Sequence, residues 1–196
     1  QHTGLLSRMA HEAFTSDETQ KALAGAKGEA TSEDDIALLR VVQREMDQRT
    51  KIPASLVEEK SSLGAVAHEK WVEARANNDF KTFAPTLERM FEICRKEAEH
   101  LGYKDHIYDA LTDLYEEGAT KKGWDEMFAS VRKPLVELVG RIKDAGKSPD
   151  DSFLHGQWDE RSQSEFTEML AKAVGFDFNR GRQDTAPHPF CGGWSV

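Results

Sequence analysis

Cysteine is almost absent from this chain of 196 residues, with Cys94 and Cys191 as its only two. One possible bridge cannot supply a disulfide framework, so reduced thiols in a cytoplasmic protein are expected. Long hydrophobic runs are also lacking. Nothing approaches the roughly 18 apolar residues of a membrane span, so an integral membrane protein is not expected. Positive charge is in deficit, with 26 Lys+Arg against 35 Asp+Glu and a formal charge of −9. That balance offers no broad basic field to collect phosphates, which disfavours nucleic-acid partners. Gly64, Gly102 and Gly118 stand alone instead of clustering as a phosphate cradle. Strand patterns are nearly missing before residue 176, and no internal repeat or low-complexity segment occurs. No secretory leader opens the sequence, and a first residue of Gln1 leaves room for residues upstream.

What is present is helical spacing. Phe80, Phe83, Leu87, Phe91, Cys94, Ala98 and Leu101 fall at steps of three and four. Asp79 suits the N-cap of that helix and Gly102 the left-handed position just past its end. A second stripe runs through Trp124, Met127, Phe128, Val131, Leu135, Leu138, Val139 and Ile142, with Pro134 inside it as an expected kink or break. A third, Phe166, Met169, Leu170, Ala173 and Val174, stops at Gly175. Ser32 with Asp35 resembles a capping box ahead of Ile36, Leu39, Val42 and Met46. Pro53 fits the first helical position before a helix over Ala54 to Ala76. Asp105 is a candidate cap for a helix carrying Ile107, Ala110, Leu111 and Leu114. The pattern predicts an all-α array of roughly six to eight helices. Its domain division is a helical region over 1–175 and an irregular aromatic, Gly- and Pro-bearing segment over 176–196.

The chemistry within these helices is sparse. A helical zinc peptidase needs HExxH, because residues one turn apart place both imidazoles on one metal. His11-Glu12 is followed by Thr15, and His68-Glu69 by Val72, where the second His should stand. Both histidines read as ordinary surface or cap residues. His2, His100, His106, His155 and His188 show no i, i+4 pairing, and no CxxC occurs. Asp109, Asp113, Glu116 and Glu117 cluster as an acid–base or cation site would, or as a solvated acidic face would. Trp71, Trp124 and Trp158 read as core or rim packing. Cys191 is either a reactive thiolate steadied by Arg180 or Arg182, or an inert thiol. His188 stands between Pro187 and Pro189, each of which fixes φ, so its imidazole is presented from a stiff segment beside Phe190. Two roles fit it equally: donation to a substrate carbonyl or oxyanion, or holding the loop through backbone hydrogen bonds.

Residues 175–193, GFDFNRGRQDTAPHPFCGG, resemble the segment of the M32 metallocarboxypeptidases that contains their HPF motif. Trp71-Val-Glu-Ala-Arg75, Asn78-Asp79-Phe80, Phe83-Ala-Pro85 and Leu87 are similar to the same family. So are Gly102-Tyr103, Tyr108-Asp-Ala-Leu111, Leu114-Tyr-Glu116 and Gly118. The similarity covers about Lys51 to Val196, the earlier part being compatible but less distinctive. Glu117 departs from it, because members commonly carry proline there, which touches a local turn.

The resemblance implies a zinc-dependent exopeptidase that removes C-terminal residues, built as a helical, saddle-like homodimer around a deep groove. It places HPF on His188, Pro189 and Phe190 at the border of that groove, with His188 donating to the scissile carbonyl oxygen. Arg182, with Arg180, is a candidate for a peptide carboxylate, or else pairs with Asp177 or Asp184. The family's zinc ligands and general-base Glu belong to DxRxT and HExxH segments that are not among these residues. The zinc is therefore expected outside this chain, which would be an inactive internal portion whose helices present unpartnered apolar faces. A non-catalytic helical scaffold or dimerisation module is the alternative, and a thiol activity at Cys191 a third.

Overall fold

The computed structural model describes residues 2–185. Eight α-helices account for most of them: α1 His2–Phe14, α2 Asp17–Glu29, α3 Glu33–Arg49, α4 Ala54–Ala76, α5 Phe80–Leu101, α6 Ile107–Thr112, α7 Lys121–Asp144 and α8 Glu160–Ala173. A short 3-10 helix covers Ser152–Leu154, and no strand occurs among the described residues. The architecture is all-α, as the spacing predicts. Two compact units divide the chain between Arg132 and Lys133.

In the first unit α1 packs along α4, α4 along α5, α5 on α6, and α2 on α3. Gly4 sets the approach of α1 to α4. A Cβ there would meet Ser62 Oγ at 2.1 Å and the Glu58 carbonyl oxygen at 3.0 Å. One turn on, Ser7 donates to Ser61 Oγ at 2.9 Å. His11 continues that face at the next step of four and is buried, 7% exposed, which corrects its reading as a surface or cap residue. The core is small: Leu23, Met46, Leu56, Ala67, Ala74, Ile93, Ala98, Leu101 and Ala110 are its buried apolar residues. Ala98, Leu101 and Ala110 form one cluster, against which Ile52, Ile107 and Leu111 pack.

The turn from α4 to α5 follows from three residues. Asn78, at φ 51, turns the chain out of the helix, and Asp79 N–H donates to the Ala74 carbonyl at 2.8 Å. Asn78 N–H reaches the Arg75 carbonyl at 3.3 Å, completing a Schellman closure with Asn in the left-handed position. Asp79 then opens α5: its carboxylate accepts from Lys81 N–H at 3.1 Å and from Thr82 Oγ1 at 2.6 Å. These bonds, that from Thr82 Oγ1 first, hold the Asp79 carboxyl below its ordinary range. Gly102 ends α5 at φ 83 and ψ 148, positive in φ as expected but extended rather than left-handed helical.

Of the remaining caps, Ser32 stands where the sequence reading puts it and two others lie one residue away. Ser32 Oγ accepts from Asp35 N–H at 3.0 Å, the Ser half of the expected box. Pro53 is the N-cap of α4 (ψ 138) and Ala54 its first residue, because the Pro53 carbonyl already accepts from Val57 N–H. His106, not Asp105, caps α6. Its Nδ1 accepts from Tyr108 N–H at 3.1 Å while Asp109 Oδ2 accepts from His106 N–H at 3.1 Å. That reciprocal box fixes the start one residue later. Helix α7 runs through Pro134 as one helix, so of the expected kink or break the break is not found. The proline removes only the donor to the Ser130 carbonyl.

Candidate functional site

The acidic cluster resolves into shape rather than chemistry. Asp109 Oδ1 accepts from Lys121 N–H at 2.7 Å, joining the start of α6 to the start of α7. Asp113 Oδ1 accepts from Gly118 N–H at 2.8 Å, and its Oδ2 from Arg44 Nη2 at 2.8 Å and Gln48 Nε2 at 3.1 Å. Glu117 takes Arg40 Nη1 at 2.9 Å on both oxygens, and Arg44 Nε lies 3.6 Å away. Two of the four carboxylates, Asp113 and Glu117, therefore tie the 113–120 turn to α3, and Asp109 fixes the start of α7 behind it. Glu117 holds the turn through a solvent-exposed ion pair with Arg40.

The histidines remain dispersed. His106 caps α6, His155 lies 3.0 Å from Asp151, and His11 faces a cavity of ≈ 350 Å³ also lined by Ser7, Arg49 and Glu97. No three His, Cys, Asp or Glu side chains among the described residues are grouped as a metal ion requires. These residues do not fit a metal, and no metal-dependent step is assigned to them. Cys94 is half-buried. Trp71 and Trp124 are also half-buried, the first under the Arg75 guanidinium at 5.3 Å and the second stacked on Phe128 at 6.1 Å. Trp158 is 63% exposed, against the expectation of packing, because the 150–159 segment around it contributes no buried residue.

The segment that leads toward HPF is ordered by its own side chains. Gly175, at φ 92, closes α8: its N–H donates to the Lys172 carbonyl and Phe176 N–H to the Ala171 carbonyl. Phe176 and Phe178 meet edge to face at 4.8 Å, and Lys172 Nζ lies 5.2 Å from the Phe178 ring centroid. Asp177 Oδ1 accepts from Asn179 N–H at 2.9 Å and from its side-chain amide at 3.0 Å. A Cβ at Gly181 would meet Phe176 Cζ at 2.6 Å, so the chain passes the ring only because that residue is glycine. Arg182 Nε pairs with Asp184 at 2.6 Å, the structural alternative foreseen for it, and Gln183 Nε2 donates to Thr167 Oγ1 at 2.7 Å. His188, Pro189, Phe190 and Cys191 lie outside the described residues.

Helices α7 and α8 bury no residue at all. Phe128, Val131, Leu135, Leu138, Val139 and Ile142 are 44–61% exposed, and Phe166, Met169 and Leu170 47–56%. The expectation of unpartnered apolar faces is met on these two helices. None of the described helices is long and apolar enough to cross a membrane.

Comparison with known proteins turns this arrangement into an assignment. The family model described as carboxypeptidase Taq (M32) metallopeptidase matches residues 1–196. Carboxypeptidase 1 of Bacillus subtilis (strain 168) is 34% identical over 81% of this chain and 32% of its own length. Thermostable carboxypeptidase 1 of Pyrococcus furiosus is 33% identical over 95% of this chain and 38% of its own length. The crystal structure of BsuCP superimposes at a TM-score of 0.86 with 32% identity, covering 95% of this chain and 38% of that one. This chain thus spans between 32% and 38% of the length of these relatives. On the family match and these likenesses together, the chain belongs to the carboxypeptidase Taq (M32) metallopeptidase family.

Proposed function

We propose that the chain serves a metallocarboxypeptidase that releases C-terminal amino acids from peptides. The observation that carries this is the family match across all 196 residues. In this reading the metal is zinc, its ligands lie outside these residues, and the protein works as a cytoplasmic homodimer. The described helices supply groove wall and lead the chain toward His188, Pro189 and Phe190. Residues 1–175 act as the helical body and 176–196 as the loop that borders the substrate. His188 donates a hydrogen bond to the scissile carbonyl oxygen as charge develops there, and Pro189, Phe190 and Arg182 contact the peptide. For Arg182 this requires exchanging Asp184 for a substrate carboxylate, and its 85% exposed side chain leaves it accessible to do so.

The test is release of the last residue from a blocked dipeptide, with zinc or cobalt added and a chelator control. It is run on the 196 residues and on the polypeptide encoded by the parent gene. Chelator-sensitive turnover by the longer protein alone supports the reading, whereas turnover by neither overturns it. Replacing His188 with Ala in the active protein is expected to lower kcat at unchanged metal content, and unchanged turnover removes its role.

The exposed apolar faces of α7 and α8 favour one second reading, a non-catalytic scaffold or dimerisation module. A parent gene that lacks HExxH downstream would support it.

A further inference from the structure

The imidazole of His11 is buried, 7% exposed, yet its ring has no hydrogen-bond or ion-pair partner among the described residues. Buried polar groups are nearly always bonded, so a ring in this position asks for a partner. No buried side-chain nitrogen or oxygen among the described residues is both sealed off and unbonded. The His11 nitrogens therefore open into the cavity of ≈ 350 Å³ that the ring lines. This cavity lies inside the first unit, where α1, the end of α3, α4 and α5 come together. Its volume is at the small end of the range for ligand sites.

The polar groups on the cavity wall differ in how far they are engaged. Glu97 accepts from Lys60 Nζ on both carboxylate oxygens, at 2.7 and 2.6 Å, so its charge is already answered. Ser7 gives its hydroxyl proton to Ser61. The Arg49 guanidinium lies over the Phe14 ring at 4.7 Å and gives Nη2 to Glu45. Stacking and the ion pair take one face and one corner of that plane and hold it in position. Its remaining N–H groups have no partner besides Glu45 among the described residues, and Arg49 lines the same cavity as His11. The unengaged polar capacity is therefore one guanidinium edge and one imidazole. Ala10, Ile52 and Val57 make the apolar remainder of the wall.

We propose that this cavity binds a short-chain aliphatic monocarboxylate, of the propionate to valerate class, held by Arg49 and His11. A guanidinium edge matches the two oxygens of a carboxylate, and a ring nitrogen of His11 donates to the same group. One available cation calls for a single negative charge. A phosphate dianion fits less well, because Glu97 stands on the same wall and repels the second charge. Ala10, Ile52 and Val57 receive the alkyl tail, each buried methylene adding to affinity. The ligand is not a peptide, no bond is made or broken, and none of the residues proposed to contact substrate takes part. The site therefore stands or falls apart from the carboxypeptidase reading.

Nitrogen-15 NMR of the seven histidine rings tests it, with this chain titrated at neutral pH with butyrate, butyramide and inorganic phosphate. Butyrate is expected to shift the His11 ring nitrogens and Arg49 Nε together and to saturation, with a Kd on the order of 1 mM, the scale so small a ligand can reach. Butyramide and phosphate should bind about fivefold more weakly, as for the loss of a single accessible ion pair. Arg49→Gln is expected to bring butyrate down to the level of butyramide, with the unchanged ring signal of His106, the α6 cap, showing that the variant is folded. If that variant does not fold, the Arg49 Nε response of the unaltered chain decides. No saturable shift at His11, a response centred on His188 instead, phosphate binding as tightly as butyrate, an Arg49 Nε that stays still, or an acid preference that survives Arg49→Gln overturns the proposal.

Discussion

Helices α5 and α7 are similar on paper, with 22 and 24 residues, one internal proline each and an apolar stripe along one side. In the fold they are opposites. Helix α5 is backed by α4 and α6, which bury Thr86, Ile93, Ala98 and Leu101; of its apolar stripe only Ala98 and Leu101 are buried, while Phe80 and Phe91 stay exposed. The stripe of α7 buries none of its residues. Periodicity therefore states which face of a helix asks to be covered, whereas coverage depends on what else is folded beside it. The stability of the first unit should rest on α5 and its neighbours, and the exposed stripe of α7 should be nearly silent.

Truncation in the two helices breaks or sharpens this contrast most strongly. Ile93→Ala, at 1% exposure, is expected to cost about 2–4 kcal/mol in urea unfolding, and Leu138→Ala within about 0.5 kcal/mol. Equal losses would mean that α7 is covered in solution. Glycine replacement comes next, with opposite signs expected. Gly4→Ala forces a Cβ into Ser62 and the Glu58 carbonyl and should destabilise by about 1–3 kcal/mol. Gly140→Ala meets nothing within 4 Å and should stabilise α7 by up to about 1 kcal/mol. Among ion pairs, Arg44→Ala releases Asp113 and the 113–120 turn and should cost about 1 kcal/mol. Arg161→Ala, from a pair exposed at 86% and 63%, should be within about 0.5 kcal/mol, read by the same unfolding curves.

The smallest contrast concerns acid. Asp79 caps α5 and Asp159 caps α8, and both carboxyls lie below their ordinary range. Asp79 is lowered chiefly by the Thr82 side chain, and Asp159 chiefly by Ser162 N–H. Because the folded values are depressed, the stability each adds is present above the unfolded value of about 3.9 and is lost as pH falls through the folded one. Helix α8, with no buried residue behind its cap, should lose amide-exchange protection at a higher pH than α5. Simultaneous loss would contradict the difference in packing.

Most of the fold was legible because its signals are local. Asp79, Gly102, Gly175 and the residues between them set α5 and α8 without reference to distant partners. Helices α1 and α2 were not read, although Ser16 before Asp17-Glu18 is a cap with an acidic first turn, and its Oγ accepts from Thr19 N–H at 3.2 Å. The burial of His11 could not be read, since it depends on α4 arriving alongside Gly4 and Ser7. Likewise the acidic cluster was left between a chemical site and a solvated face, because its spacing does not reveal Arg40, Arg44 and Gln48 across the gap. Of the candidate site, only Arg182 falls among the described residues, and its pairing with Asp184 was one of the two alternatives that sequence allowed.

The Asn77-Asn78-Asp79 turn carries a consequence for evolution by insertion. The Asp79 amide closes α4 and the Asp79 carboxylate opens α5, so one residue is the shared tooth of two gears. Each added residue in a helix advances its faces by about 100°. An insertion at this point could not be absorbed as slack. It would swing the Ile93 side of α5 away from α4, and the chain is free to change length in the 145–159 connection but not here.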